Sequence, residues 1–280
     1  MPEAPQRTAI VGCGYVGTAV GEALVRAGGE VHGTTTSPSR TAELEAKGIV
    51  PHVLEVADAA ALHGLLAECE AVLLSVGAGR EGADYRSVYL AAASHLVAAL
   101  ERTTVSRVVY TSSTRVYAQD DGRWVDEDSP TQPADENGRT LLEAERVLLD
   151  AGRVGAGVPP VFVTVLRLGG IYGPGRDPAA RIRQFAGQER RDGDACVNMI
   201  HLDDIVAAIV RLLPMPHGGV LNLCDDGPAP RREYYDRIIA AAGLPPIRWI
   251  SPAGSPPLGK RVGNALIKQT LGLQLQHPFH

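Results

Sequence analysis

Three closely spaced glycines near the start of the chain, Gly12, Gly14 and Gly17, form the pattern G-x-G-x-x-G. They follow the apolar run Ala9-Ile10-Val11 and open an amphipathic run over residues 16–25, which predicts a buried strand, a tight turn and a helix. In that context the first glycine permits the turn, the second lets the backbone approach a pyrophosphate, and the third lets the helix pack on its strand. The helix N-terminus then favours phosphate. The segment predicts dinucleotide binding, with a purely structural glycine turn as the alternative.

The residues after the second predicted strand indicate which dinucleotide binds. An acidic side chain there bonds the ribose 2′-hydroxyl of NAD, whereas an arginine accommodates the 2′-phosphate of NADP. Segment 34–40 contains hydroxyl side chains and Arg40 but no carboxylate. We therefore favour NADP over NAD, and the alternative is a solvated loop with an ordinary surface arginine. Glu55 or Asp58 can reach the adenine amino group, although Asp58 is equally suited to cap a helix.

The expected cofactor contacts come from the ends of the first four predicted strands. Parallel strands end at one edge of a sheet, which is where α/β proteins bind their ligands. The expected contact residues are Gly12, Gly14, Tyr15, Val16, Gly17, Thr35, Thr36, Ser37, Arg40, Glu55, Val76 and Gly77.

Apolar strand-like runs alternate with helix-like runs through most of the chain. Such alternation predicts a parallel sheet with helices on both faces, and right-handed crossovers make it doubly wound. The fold class is therefore α/β: a Rossmann-type doubly wound parallel sheet with a small C-terminal lobe. Strands are predicted at 9–11, 30–34, 49–56, 71–76, 107–112 and 161–168, and helices around 41–47, 58–68, 83–102 and 139–149.

The alternation weakens beyond residue 169, where Gly and Pro become dense. In that part the helix 203–213, ended by Pro214, and a short strand at 220–223 are predicted. We expect a dinucleotide-binding domain over 1–168 and a smaller substrate lobe over 169–280, with about 197–225 returning to the first domain.

Composition excludes several function classes. The net charge of −5 gives no electrostatic case for nucleic acid or an anionic membrane. The four cysteines, Cys13, Cys69, Cys196 and Cys224, lack metal-ligand spacing and are expected to be reduced thiols. No apolar signal segment or membrane-length run occurs, so we expect a soluble, cytoplasmic protein.

Several segments resemble the extended branch of the short-chain dehydrogenase/reductase family, the NAD-dependent epimerase/dehydratase-like group. The matching segments occur in the family's order between residue 8 and about 225, and Asn222 also resembles a recurrent family position. They are 12–17, 107–117 (RVVYTSSTRVY), 167–175 (RLGGIYGPG) and 200–204 (IHLDD). The resemblance implies a nicotinamide cofactor, a small-molecule substrate and a possible homodimer formed through the helices 83–102 and 139–149.

The resemblance fails at the family's proton relay, a Tyr-x-x-x-Lys pair on the helix after the fifth strand. The lysine cation lowers the pKa of the tyrosine, which then exchanges a proton with the substrate. Aligning the helix places Asn137 at the tyrosine position and Leu141 at the lysine position. The chain therefore resembles an atypical subgroup that lacks the pair, while Ser113 matches the family's active-site serine.

Other residues are candidates for the missing chemistry. Tyr117, Tyr172 and His201 are candidate proton donors, although each has a packing or backbone-bonding role as its alternative. The chain has three lysines, of which Lys260 and Lys268, in the predicted lobe, are the ones able to fold back over a site.

The expected substrate contacts are Ser113, Thr114, Arg115, Asn137 and Arg176. Arg115 and Arg176 suit an anionic group. The alternatives are that Arg176 is a solvated loop residue and that Arg115 pairs with Asp120, Asp121 or Asp126. The acidic segment 120–128 lacks a metal-ligand loop, so no metal site is predicted.

Three functions fit these features. The favoured one is an NADP-dependent oxidoreductase or epimerase-like enzyme on a small polar substrate, such as a nucleotide-sugar, with a non-standard proton donor. The second is a non-catalytic dinucleotide-binding sensor or scaffold, and the third is a lyase or isomerase with a structural cofactor.

Overall fold

The computed structural model describes residues 6–78, 84–101, 103–152, 160–250 and 258–277. The chain forms two compact units. The first comprises Met1–Val116, Pro133–Arg167 and Ile205–Leu221, and the second comprises Tyr117–Gln132, Leu168–Asp204 and Asn222–His280. Relative to the expected division, the second unit also takes Tyr117–Gln132, and the segment returning to the first unit is Ile205–Leu221 rather than 197–225.

The described strands vary in length from seven residues to two residues. In chain order they are β1 (Arg7–Val11), β2 (Glu30–Thr35), β3 (Val50–Val53), β4 (Ala71–Leu74), β5 (Arg107–Ser113), β6 (Asp121–Val125), β7 (Phe162–Leu168), β8 (Gly170–Tyr172), β9 (Glu189–Arg190), β10 (Cys196–Val197), β11 (Met199–His201), β12 (Gly219–Leu223), β13 (Ala229–Pro230), β14 (Arg248–Trp249) and β15 (Gly259–Val262).

The described α-helices are mostly short. They are α1 (Tyr15–Arg26), α2 (Thr41–Ala46), α3 (Ala59–Leu66), α4 (Ala91–Ala99), α5 (Glu136–Ala151), α6 (Pro178–Ile182), α7 (Leu202–Leu212), α8 (Arg231–Ala241) and α9 (Ala265–Leu271). Among these described helices, none combines the length and the apolar character that crossing a membrane requires.

The first unit is built on a seven-stranded parallel sheet in the order β12-β7-β5-β4-β1-β2-β3. The order steps outward from β1 in both directions, so the crossover reverses next to β1, as in a doubly wound sheet. On one face, buried side chains of β1, β4, β5 and β7 pack against α3, α4 and α5. The predicted fold class is confirmed.

Local capping explains where the helices of the first unit begin. The Asp58 carboxylate accepts the N–H of Ala61 at 3.0 Å, so this residue caps α3. The Asp135 carboxylate caps α5 in the same way, and α5 consequently starts three residues before the predicted 139. A π-helical turn over Arg86–Leu90 precedes α4, so the predicted helix 83–102 is not regular throughout.

The second unit consists of short paired strands and small helices. Strand β6 pairs with β15, β8 with β11, β9 with β14, and β10 with β13. Its described core is a cluster of Ile182, Tyr234, Ile239 and Ile247. Helices α8 and α9, and strand β6 within the acidic segment 120–128, are elements that the sequence patterns did not predict.

Candidate active site

The glycine loop between β1 and α1 has the geometry expected of a phosphate-binding turn. Gly12 has φ of +98°, and a Cβ there would lie 2.7 Å from the Ser75 carbonyl oxygen. A Cβ on Gly17 would collide with the Gly12 carbonyl oxygen, so the helix packs tightly on the turn. A Cβ on Gly14 meets no atom within 4 Å. Gly14 therefore faces open space, into which a side chain would project.

The N-terminus of α1 is prepared for an anion. Gly14 is its N-cap, no side chain caps it, and its first turn contains no acidic residue. The loop N–H groups just before it are already used, since Gly12 N donates to Thr34 Oγ1 and Cys13 N donates to the Thr34 carbonyl, both at 2.9 Å. The first-turn N–H groups lack partners within the helix, and their dipoles favour phosphate oxygens.

A cleft of about 460 Å³ in the first unit opens at this loop. Most of the expected cofactor contacts line it, namely Gly12, Gly14, Thr35, Thr36, Arg40, Glu55, Val76 and Gly77. Tyr15, Val16, Gly17 and Ser37 are not among the lining residues. Val16 and Gly17 are buried behind the turn, where their contribution to a ligand is limited to backbone N–H groups.

One wall of the cleft comes from α4 and the turn before it, which the sequence analysis did not connect with the cofactor. Val88, Ala91, Ala92 and His95 line the cleft at helical spacing. His95 is half-buried, and its imidazole makes no hydrogen bond to any described residue. The small residues at 91 and 92, one turn before a histidine, were the available signal.

Arg40 lies in the cleft wall beside the glycine loop. Its guanidinium donates to the Cys13 carbonyl and reaches Thr18 Oγ1 at 3.4 Å. It also pairs with Glu43, Nε to Oε2 at 3.1 Å, and this contact lowers the pKa of the Glu43 carboxyl. The Arg40 guanidinium is therefore held at the cleft, where its charge is partly neutralised by the Glu43 carboxylate.

The start of α5 packs against the turn that follows β5. Arg115 forms a bidentate pair with Asp135, with Nε at 3.1 Å and Nη2 at 2.8 Å from Oδ2. The alternative given for Arg115, a pair with Asp120, Asp121 or Asp126, is wrong in its partner, because the guanidinium pairs with Asp135 at the N-cap of α5. The same Asp135 carboxylate accepts the Gly138 N–H at 2.8 Å. This salt bridge fixes the segment after Ser113 against α5.

The two positions of the family's proton relay have different environments in α5. Leu141 is only 3% exposed and is part of the buried face of the helix. Asn137, one turn earlier, is half-buried, and its side-chain amide makes no hydrogen bond to a described residue. Ser113, at the end of β5, accepts the Arg115 N–H at 3.2 Å. This part of α5 can offer hydrogen bonds but no group that titrates near neutrality.

A buried ionic network supports the end of β5 from behind. Glu145 of α5 accepts Ser112 Oγ at 2.5 Å and pairs with Arg167 of β7, Nη2 to Oε2 at 2.7 Å. Both charged side chains are at most 5% exposed. Removing either partner would leave an unpaired buried charge, which is strongly destabilising. Sequence reasoning missed this network.

In the second unit, the Tyr117 side chain is buried and hydrogen-bonded. It is 2% exposed, and its hydroxyl donates to Asn222 Oδ1 at 2.9 Å. Lys260 Nζ donates to the Tyr117 carbonyl at 2.7 Å, and Lys268 Nζ pairs with Asp226 at 2.8 Å. Both lysines considered as substitutes are thus engaged, and a catalytic role for Tyr117 stays a prediction that its burial does not favour.

Tyr172 and His201 also have partners in the second unit. The Tyr172 hydroxyl donates to the His277 carbonyl at 2.9 Å, and burial raises the pKa of this tyrosine to about 12. A relay tyrosine needs the opposite shift. His201 Nδ1 accepts the Asp203 N–H at 3.1 Å.

The remaining substrate candidates lie in short turns, Arg176 after β8 and Thr114 at the start of a 3₁₀ turn over Thr114–Val116. Arg176 is exposed in a turn closed by its N–H on the Gly173 carbonyl at 2.9 Å. Thr114 is 8% exposed, immediately after Ser113. Their substrate contacts remain predictions.

The amino-acid sequence of the chain is similar to those of known proteins. The chain is 32% identical over 279 residues to Protein YeeZ of Escherichia coli K12, covering 98% of this chain and 97% of that protein. It is 30% identical over 177 residues, 59% of this chain and 56% of the relative, to a 3-diazoavenalumate denitrifying reductase from a Streptomyces species.

A solved structure and a family model extend these comparisons. A short-chain dehydrogenase/reductase superfamily protein from Agrobacterium tumefaciens with bound NAD aligns with a TM-score of 0.79 at 25% identity, covering 98% of this chain and 93% of that one. Residues 9–224 match the model of the NAD dependent epimerase/dehydratase family. The chain therefore belongs to that family, within the extended short-chain dehydrogenases/reductases.

Proposed function

We propose that the protein is a nicotinamide-dinucleotide-dependent oxidoreductase or epimerase-like enzyme acting on a small polar substrate, with nucleotide-sugars among the candidates. The observation that carries this proposal is the uncapped N-terminus of α1 beside Gly14, where a Cβ would enter open space. The cleft extends from this loop past the ends of β2, β3 and β4, and such strand ends are where parallel α/β sheets bind their ligands.

NADP is the proposed cofactor. The support is Arg40, whose guanidinium lies in the cleft wall, and the absence of any carboxylate from segment 34–40. Glu43 opposes this preference because it pairs with Arg40, so a 2′-phosphate would have to share or displace that carboxylate. We therefore expect a moderate preference for NADPH over NADH.

The adenine end of the cleft is assigned to the segment after β3. The Glu55 carboxylate lines the cleft and makes no hydrogen bond to a described residue, so it is available to accept an adenine amino group. His95 lines the same cleft from α4 and offers an imidazole face or edge.

The bound cofactor would supply or accept a hydride. The chain's own contribution at α5 and β5 is positioning: Ser113 Oγ and the Asn137 amide can hold a polar substrate group by hydrogen bonds. Neither group can act as the proton donor that a tyrosine provides. The proton then comes from bound water or a group outside α5, or the reaction needs none. Similarity to a protein named as a denitrifying reductase supports searching beyond carbonyl substrates.

Nucleotide titration tests the proposal. NADPH and NADH are titrated by fluorescence, and the same samples are heated to measure protection against unfolding. Gly14→Val should lower nucleotide affinity by at least about 100-fold, since its side chain would occupy the phosphate position. Gly64→Val is the matched control, because Gly64 belongs to the same unit, does not line the cleft, and has no atom within 4 Å of where a Cβ would lie. Equal binding by wild type and Gly14→Val would overturn the proposal.

A non-catalytic sensor or scaffold is the second candidate, and the burial of Leu141 in place of a lysine favours it. The discriminating measurement is turnover. Steady oxidation of NADPH with a panel of carbonyl, imine and diazo compounds supports an enzyme. Tight binding with no turnover on any compound supports the sensor. Product formation without net NADPH oxidation would indicate an epimerase-like reaction, in which the hydride returns to the substrate, or a lyase or isomerase.

We further propose a reducing, cytoplasmic location and a homodimer. The support for the location is that all four cysteines are buried and free. The support for the dimer is the family resemblance, since extended members often pair through the helices that correspond to α4 and α5. Light scattering on the purified protein tests the assembly, and a mass of one chain would refute it.

A further inference from the structure

Two histidines and one aspartate of the second unit converge at the start of α7, in a cluster that the proposed function does not use. His201 ends β11, Asp203 lies in the first turn of α7, and His277 belongs to the C-terminal segment. Asp203 Oδ2 is 3.6 Å from His201 Nδ1 and 3.2 Å from His277 Nε2. All three potential ligand atoms lie within 4.8 Å of one another.

The backbone of the C-terminal segment holds His277 in place. Asp204, which is 1% exposed, accepts the N–H groups of Gln276 at 2.8 Å and His277 at 3.2 Å. The Tyr172 hydroxyl donates to the His277 carbonyl. The N–H and carbonyl groups of His277 are therefore fixed independently of its imidazole, so these backbone contacts would persist if the ring turned to bind a ligand.

Neighbouring rings set the orientation of the His201 imidazole. Tyr172 meets it edge-on with ring centres 5.0 Å apart, and the His277 ring stacks on it at 3.8 Å. His201 is 9% exposed as a residue, whereas the side chains of His277 and Asp203 are 40% and 61% exposed. The cluster thus has one rigid inner member and an open outer side through which an ion can enter.

We propose that His201, Asp203 and His277 bind a divalent transition-metal ion of the zinc class. Two imidazole nitrogens and one carboxylate oxygen are ligands typical of zinc, whereas magnesium and calcium prefer oxygen ligands alone. Zinc–ligand bonds near 2.0–2.1 Å place tetrahedral ligand atoms roughly 3.3 Å apart. The distances of 3.2 and 3.6 Å are close to that value.

Metal binding would exchange one hydrogen bond for a coordinate bond. It would also turn the exposed His277 ring out of its stack on His201, because rings only 23° from parallel direct their nitrogen lone pairs side by side. In the metal-free arrangement His201 Nδ1 accepts the Asp203 N–H at 3.1 Å. The ion would take this nitrogen, and the N–H group, at the exposed first turn of α7, would turn to water. Three protein ligands leave the fourth position for water. The consequence is a cross-link between the C-terminal segment and the start of α7.

Zinc titration of the full chain, first stripped with a chelator, tests this proposal. A competing chromophoric zinc indicator measures affinity and stoichiometry, and thermal unfolding is followed with zinc or magnesium added. We expect one equivalent of zinc to bind and to raise the unfolding temperature, with no such effect from magnesium. Dinucleotide binding, measured in parallel, should be independent of zinc, so the two proposals fail separately.

The His277→Ala variant gives the sharpest comparison, because the contacts that anchor residue 277 are made by its backbone. His277→Ala and Asp203→Asn should each weaken zinc binding by at least about tenfold. His63→Ala is the control, since this histidine lies in the first unit and bonds the Ala99 carbonyl. Absence of stoichiometric zinc binding by wild type overturns the proposal. Zinc binding that is as tight in both His277→Ala and Asp203→Asn as in the wild type also overturns it.

Discussion

The start of α1 and the start of α5 lie in the same unit, and both correspond to functional elements of the family. At α1 the binding groups are backbone N–H groups, and side chains matter mainly by their absence at Gly12, Gly14 and Gly17. At α5 the family's chemistry depends on two side chains, and Asn137 and Leu141 replace them. The glycine turn at α1 thus has every glycine of the family motif, whereas α5 has neither side chain of the family's proton relay.

This difference shows how the two elements can change separately. A glycine turn is coupled to the fold, because Gly17 packs on the turn and Gly12 lies against the Ser75 carbonyl. A relay lysine is not required by the fold, and a leucine at position 141 adds to the buried face of α5. Retaining the cofactor cleft is therefore compatible with losing the relay.

The largest effect is expected from inserting the missing cation. Leu141→Lys should destabilise the protein by about 3–5 kcal/mol, because it removes a buried apolar side chain and places an ammonium in a site 3% exposed. Urea unfolding followed by circular dichroism measures the change. Leu141→Met, which conserves volume, should cost less than about 1.5 kcal/mol. A lysine tolerated as well as methionine would show that position 141 is open to solvent.

The double variant Asn137→Tyr with Leu141→Lys extends that test to function. We expect no efficient carbonyl reduction, because the predicted substrate lobe would also have to fit the compound and the lysine is disfavoured at position 141. NADPH oxidation is measured across a panel of carbonyl compounds. A large gain in activity would mean that these two side chains alone separate this chain from its catalytic relatives.

The first unit was largely predictable from the sequence, because most of its strands and its glycine loop carry a recognisable local sequence pattern. Strand β4 is a continuous apolar run and β7 is apolar except for Thr164 and Arg167, and the glycine loop carries its own spacing. The cleft residues at the strand ends followed from the parallel sheet. The wall from α4 did not, because Ala91, Ala92 and His95 become a ligand surface only through tertiary packing.

A smaller effect than those predicted for position 141 is expected on the preference of the cleft for NADPH over NADH. Arg40→Ala should reduce the preference for NADPH over NADH by about tenfold, since a charge-assisted bond to the 2′-phosphate is lost. Glu43→Gln should act in the opposite direction, because it releases Arg40 from its competing carboxylate. Fluorescence titration with both nucleotides measures the ratio. Arg26→Ala, an exposed arginine paired with Glu22, is the control, and an unchanged ratio in Arg40→Ala would contradict the NADP assignment.

The smallest effect is expected at the cap of α5. Asp135→Ala should destabilise the protein by about 1 kcal/mol at neutral pH, because it removes an N-cap and the partner of Arg115. The hydrogen bonds from Arg115 and from the Gly138 N–H lower the pKa of Asp135.

The pH dependence of this effect has a definite sign. Because the pKa of Asp135 is lowered in the native state, its contribution is present above the unfolded-state pKa of about 3.9 and is lost as the pH falls through the native value. The difference between wild type and Asp135→Ala should therefore shrink in acid. A difference that stays constant from pH 7 to strongly acidic conditions would contradict the cap assignment.

The second unit was the least predictable part of the chain. Its strands β9, β10, β13 and β14 have two residues each, too few for any periodic signal. The partners of its polar residues, such as Asn222 for Tyr117 or the C-terminal His277 for Tyr172, are about 100 positions away in sequence. Such long-range pairs depend on the final packing, so composition and spacing could not reveal them.

A structure determined with NADP bound tests the central claim most directly. The account predicts phosphate oxygens within about 3 Å of the first-turn N–H groups of α1 beside Gly14. It also predicts that α5 presents the Asn137 amide, and no ionisable side chain, at the positions of the family's relay. A dinucleotide bound elsewhere, or one whose phosphates are held by side-chain cations away from α1, would contradict it.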